Sequence, residues 1–166
     1  MRRLSDSTHD GFTLLETVVA TGVLVTALAG IAQLIALSLR STRDAESQAA
    51  ALVVAEDKIE RLRSLQYGYG PLGELITDPG IAHTATQSLD QDTTGAVDFV
   101  NDQGAAVDVN ATAHGAVFTR RWRVTPIDGF VPEAIAVEVC VFRWPAEGLT
   151  PAAALSCLAT VRARQP

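Results

Sequence analysis

Residues 9–25 read HDGFTLLETVVATGVLV, and their reading decides the fold, because Glu16 puts a carboxylate inside an apolar run that begins at Phe12. Beyond it, from Thr17 to Leu39, 23 residues carry no charge. As a helix they would span roughly 34 Å, against a hydrocarbon core of about 30 Å. Arg2 and Arg3 precede the run and Arg40 and Arg43 follow it, so the flanking basic residues favour a cytoplasmic N-terminus only weakly. Three assignments compete. A secretory signal would use Ala27-Leu28-Ala29 for cleavage, but the apolar run continues through GIAQLIALSL and Glu16 interrupts the apolar region such a signal needs. A plain signal anchor tolerates Glu16 more easily: a carboxylate costs about 2.5–3.5 kcal/mol at mid-membrane and less near a helix end. The third assignment uses the whole stretch, as a short polar leader, Gly11, Phe12, a glutamate at the fifth position after the glycine, and an apolar helix beyond.

On those residues, GFTLLE followed by an apolar helix, the chain resembles the type IV prepilins and the pseudopilins of type II secretion. The resemblance implies that a membrane-embedded prepilin peptidase cuts after Gly11 and methylates the new amine of Phe12. It also implies that Glu16 guides assembly. An α-amino group with an unperturbed pKa of about 7.7–8 and a carboxylate each lower the other's burial cost in an apolar layer. The family's pairing is between subunits; a pair within one chain is the alternative, since Phe12 and Glu16 are four apart.

The helical pattern continues past Leu39 through RSTRDAESQAAALVVAEDKIERLRSL. Apolar residues recur there at Ala45, Ala49, Leu52, Ala55, Ile59, Leu62 and Leu65, a narrow stripe suited to packing on one surface. Five basic residues balance five acidic ones in this segment, and the charges read as a solvated face. One helix is therefore expected from about Phe12 to Gln66, stopped near Gly68, apolar over 12–39 and amphipathic over 40–67.

Residues 68–166 read as a small globular β domain. YGYGPLGELITDPGIAHTATQSLDQDTTG has few strand signals and reads as a long irregular connection. AVDFV, a turn at NDQG, and AAVDV suggest a hairpin, while AVFTRRWRVTPI, AIAVEVCVFRW and LSCLATVRA suggest a three-stranded antiparallel meander. The numbers of Cys140 and Cys157 place a centre of symmetry between Gly148 and Leu149, within a proline-flanked turn, so the two cysteines would lie opposite each other on neighbouring strands. A disulfide follows if the domain lies outside the cytoplasm; two buried thiols are the alternative. The class expected is α+β, of the type IV pilin kind, with a long N-terminal helix packed on a small antiparallel sheet. The segments RRWRV, VEVCVFRW and LATVRAR resemble the PilV-type minor pilins and, less closely, small pseudopilins.

Net charge is −6, and between Tyr67 and Thr119 seven acidic residues occur with no Lys or Arg, which argues against a broad nucleic-acid surface there. Arg120, Arg121 and Arg123 around Trp122 form the one cation–aromatic group that single-stranded nucleic acid could use. On a strand, Phe118, Arg120 and Trp122 would face one way and Arg121 and Arg123 the other, which reads as a core Trp with solvent-facing arginines. Asp90, Asp92 and Asp98 make only a fragment of a calcium loop, and an acidic solvated loop is the plainer reading. His9, His83 and His114 accompany no nucleophile pattern, so no enzyme, metal or cofactor is expected. The resemblance implies a non-enzymatic filament subunit held in the inner membrane, with its N-terminus cytoplasmic and its β domain outside. Its partners would be prepilin peptidase and other pilins or pseudopilins. A membrane-anchored extracytoplasmic binding domain, with DNA uptake as one use, is the alternative.

Overall fold

A computed structural model describes residues 12–83, 86–107, 115–129, 133–146 and 148–165. The leader of residues 1–11, with Gly11 and His9, and likewise Asp108 and His114, lie outside the described residues. One helix, α1, runs from Leu14 to Ser64. Seven strands follow: β1 Tyr67–Tyr69, β2 Leu75–Thr77, β3 Val97–Val100, β4 Ala106–Val107, β5 Phe118–Ile127, β6 Ala134–Arg143 and β7 Ser156–Ala163. The chain divides into two compact units, one ending at Asp44 and one beginning at Ala45. The class is α+β, with a long N-terminal helix whose later part packs on an antiparallel sheet.

In the second unit α1 buries Ala51, Val54, Ala55, Ile59 and Leu62. They meet Phe118, Trp122 and Val124 of β5 and Ile135, Val137, Val139 and Val141 of β6, at roughly 1.5–3 kcal/mol for each large side chain removed from water. The stripe read from sequence is correct from Ala55 onward and displaced before it, for Ala45, Ala49 and Leu52 are exposed. Stepping back from Ala55, a helix allows either Ala51 or Leu52 on the same side. The folded chain buries Ala51 and Val54 instead, and Arg120 of β5 donates to the Val54 carbonyl. The helix stops at Ser64 rather than Gln66, with Arg162 donating to the carbonyls of Leu62 and Leu65, where a cation suits the negative helix end. Gly68 belongs to β1.

The meander β5-β6-β7 is present, and it is part of a larger sheet of order β4-β3-β5-β6-β7, because β3 pairs with β5 as well as with β4. The β3–β4 turn is held by Asn101, whose side-chain oxygen accepts from the N–H groups of Gln103 and Ala105, while Gly104 adopts φ 78°. The β6–β7 register pairs Ala134 with Ala163 and Cys140 with Cys157, as the symmetry of the cysteines requires, and the two are joined as a disulfide. The segment read as irregular contains the two-stranded pair β1–β2. Its organising contact is remote in sequence: buried Arg164 donates to the carbonyls of Gly68 and Ile76, to Thr77 Oγ1 and to Glu133.

Candidate assembly segment and the buried arginines

At the start of the described chain, Phe12 is exposed and precedes the first helical residue. The Thr17 N–H donates to Thr13 O at 3.2 Å, and the Glu16 N–H donates to Thr13 Oγ1 at 3.3 Å. Thr13-x-x-Glu16 is therefore laid out as a capping box, with its threonine half formed. The pattern is local and stands in the sequence itself, one residue after Phe12.

Along the first unit the large apolar residues, among them Leu14, Val18, Val19, Leu24, Leu28, Ile31, Leu34 and Ile35, are all more than half exposed. They occupy every side of the helix, a distribution that water does not tolerate as a free surface. The hydroxyls within it are satisfied internally: Thr17 donates to Leu14 O, Thr21 to Thr17 O and Val18 O, and Thr26 to Gly22 O and Val23 O. Threonines bonded in this way add little cost in hydrocarbon. The helix is thus long and apolar enough to cross a membrane.

The second unit concentrates charge inside. Arg120 is 2% exposed, and its guanidinium grips Asp98 bidentately at 2.8 and 3.0 Å while donating to Val54 O at 2.8 Å and Asp57 at 3.1 Å. Lys58 also reaches Asp98 at 3.0 Å and lies 3.4 Å from the centre of the Trp122 ring. Burial pulls the Lys58 ammonium below its ordinary range, against the pull of Asp98. Burial alone would raise Asp57, but its bonds and charge contacts with Arg61 and Arg120 hold it below the ordinary carboxylate range. Arg120, by contrast, is raised: desolvation opposes its charge, and Asp98 and Asp57 outweigh it.

On the opposite face of the sheet Arg121, 1% exposed, donates to Asp92 and to the carbonyls of Leu89, Leu149 and Ala146, and its guanidinium lies over Phe142. It thereby ties both covering loops to the sheet. The strand alternation read from sequence holds, but Arg120 and Arg121 are buried rather than solvent-facing; Arg123, partly exposed, pairs with Glu138. Their partners come from α1 and from loops far away in sequence, which local patterning does not reveal. Asp90, Asp92 and Asp98 are not brought together, since Asp92 serves Arg121, Asp98 serves Arg120 and Lys58, and Asp90 contacts Ser88. His83 donates from Nδ1 to Val124 O at 2.6 Å, and Asp78 caps the turn at Gly80. Comparison with models of protein families, with curated proteins and with solved structures finds no match.

Proposed function

We propose that this chain is a minor pilin or pseudopilin, a structural subunit that prepilin peptidase cuts between Gly11 and Phe12 and that enters a type IV pilus or a pilus-like secretion filament. The observation that carries the proposal is α1 itself, one helix element that is apolar on every side up to Leu39 and buried against a sheet from Ala51. The same apolar surface would serve lipid before assembly and neighbouring helices afterwards. GFTLLE supplies the processing signal, and the Cys140–Cys157 disulfide fits a β domain outside the cytoplasm. In this reading the methylated amine of Phe12 is cationic near neutral pH, and Glu16 of an incoming subunit neutralises it.

A second reading rests on the cap at Thr13, whose hydroxyl accepts from the Glu16 N–H: Glu16 is there as the far residue of a capping box, and the helix simply anchors an extracytoplasmic domain. Two experiments separate them. Co-expression with a prepilin peptidase should remove residues 1–11 and add one methyl group by intact mass; no cleavage, or cleavage after Ala29, overturns the pilin reading. Glu16→Gln keeps a capping side chain and removes the charge, so it should be processed yet enter filaments poorly, while Thr13→Ala should enter normally. The reverse pattern assigns Glu16 to the cap. Subunits recovered with the assembled filament then distinguish pilus from secretion machine.

A further inference from the structure

Between Thr17 and Leu39 the polar side chains of α1 are three threonines, one serine and a single amide, Gln33. The threonines bond back to carbonyls three or four residues earlier, whereas Gln33 and Ser38 have no partner among the described residues. Ser38 stands at the end of the run, two residues before Arg40. Gln33 lies deeper, five residues past the central Leu28, which puts it about 7.5 Å from the midplane of a core whose half-thickness is about 15 Å. Reaching back to the nearer surface is difficult, because helix side chains tilt toward the N-terminus of their helix, here toward the midplane. An amide held there with its donors and acceptor unmet is costly.

Gln33 shares its side of the helix with a charge. Residues seven apart are offset by only about 20°, so Arg40 continues the same strip about 10.5 Å further out, at the boundary of the apolar run. Gln33, Ala36, Leu37 and Arg40 together line a cleft of about 310 Å³, with the short Ala36 between the two long polar side chains. Lipid suits only the outer end of this cleft: a phosphate can meet Arg40, but acyl chains at the depth of Gln33 hold no hydrogen-bonding group. A second copy suits only the inner end. Two Gln33 amides of parallel helices can bond each other, but the same strip then sets Arg40 against Arg40.

We propose that the Gln33–Arg40 strip docks a transmembrane helix of a different chain, one that presents an amide or hydroxyl at the depth of Gln33 and a carboxylate about two turns further out, beside Arg40. Such a helix meets both polar groups at once. The Gln33 amide trades an unmet state for an interhelical hydrogen bond, and the guanidinium gains a carboxylate at the membrane surface, where Arg and carboxylate pair bidentately. The inference rests on the membrane-spanning reading of the first half of α1, which the pilin and anchor readings share.

The test uses the full chain in phosphatidylcholine vesicles, carrying a donor fluorophore through Ser41→Cys, since the native cysteines are joined to each other. The probe is a synthetic helix of about 20 leucines with one glutamine, a glutamate seven residues beyond it and an acceptor fluorophore at that end. Energy transfer should report association roughly 3- to 30-fold tighter than for an all-leucine helix, and Gln33→Leu in the chain should abolish the difference. Arg40→Glu should turn the preference toward a probe with lysine in place of the glutamate. Equal association of the glutamine and all-leucine probes, or no loss with Gln33→Leu, overturns the proposal. Transfer between differently labelled copies of the chain that Gln33→Leu abolishes overturns its assignment to a different chain. Displacement of the probe by added phosphatidylglycerol gives the Arg40 end to lipid and overturns the carboxylate. Retention of the chain in vesicles under alkaline extraction, with no association, overturns the proposal alone; release of the chain overturns the membrane-spanning reading beneath it.

Discussion

The two halves of α1 are both rich in Ala, Leu and Val, yet none of the residues from Leu14 to Leu39 is buried, whereas Ala51, Val54, Ala55, Ile59 and Leu62 are. The difference lies in arrangement rather than in apolarity. In the first half large apolar residues occupy every side, so one flat sheet could cover only a fraction of them. In the second half a stripe from Ala51 to Leu62 is buried against the sheet; most of the charges lie off it, and the two beside it, Asp57 and Lys58, pair with Arg120 and Asp98. A helix that is greasy all round asks for lipid or for several neighbours, and a striped one asks for a single surface.

The largest test of this contrast is Arg120→Ala, because Arg120 ties the packed half to the sheet through Val54 O, Asp57 and Asp98. Deleting one partner of a buried ionic network should cost on the order of 3 kcal/mol. Denaturant unfolding of the full chain in detergent measures it. A loss below about 1 kcal/mol would mean that Lys58 alone neutralises Asp98 and that apolar packing holds this half in place.

A matched pair comes next. Ile59→Ala and Leu28→Ala delete comparable side chains from the two halves, one 7% and the other 56% exposed. The first should destabilise the sheet-bearing unit by about 2–4 kcal/mol, the second by less than about 0.5 kcal/mol. Equal effects in thermal melts would show that residues before Asp44 contribute to the stability of the second unit, and the contrast would collapse.

The first half was legible in sequence because a membrane-length apolar run needs no tertiary information, and 23 uncharged residues announce it. The β6–β7 register was legible because two cysteines and a proline-flanked turn share a centre. Ala51 against Leu52 was not, since both fit the helical period and the sheet decides between them. Nor were Arg120, Arg121 and Arg164 recognisable as buried, because their partners are main-chain carbonyls and carboxylates at least 22 residues away and the pairing exists only once the chain has folded. The capping box Thr13-x-x-Glu16 is legible too, since it is a local pattern that needs no tertiary partner.

Acid should loosen the packed half in a small, predictable way. Asp57 titrates lower in the folded chain than in the unfolded one, so its contribution is complete above the unfolded value of 3.8 and is lost as pH falls through the folded value beneath it. With the side chain 39% exposed, screening limits the effect to about 1 kcal/mol or less. Lys58 acts on the opposite flank. Its folded value is depressed, so the penalty for burying its charge is present at neutral pH and is relieved as pH rises toward 10.5. Unfolding across the acid range should show Asp57→Asn losing part of the slope below about pH 4. An unchanged slope would place the acid sensitivity elsewhere.

The smallest effect belongs to the outward side of the packed half. Glu60 and Arg63 pair at 3.0 Å with both side chains more than half exposed, one turn apart on α1. Such pairs contribute about 0.2–0.5 kcal/mol, and salt screens them. Arg63→Ala should therefore change stability by no more than that, and the difference should vanish in high salt. A loss several times larger that persists in salt would mean that this face is covered and desolvated in the assembled protein. The comparison between the halves would then change in kind. The second half would be shared between the sheet on one side and a partner on the other.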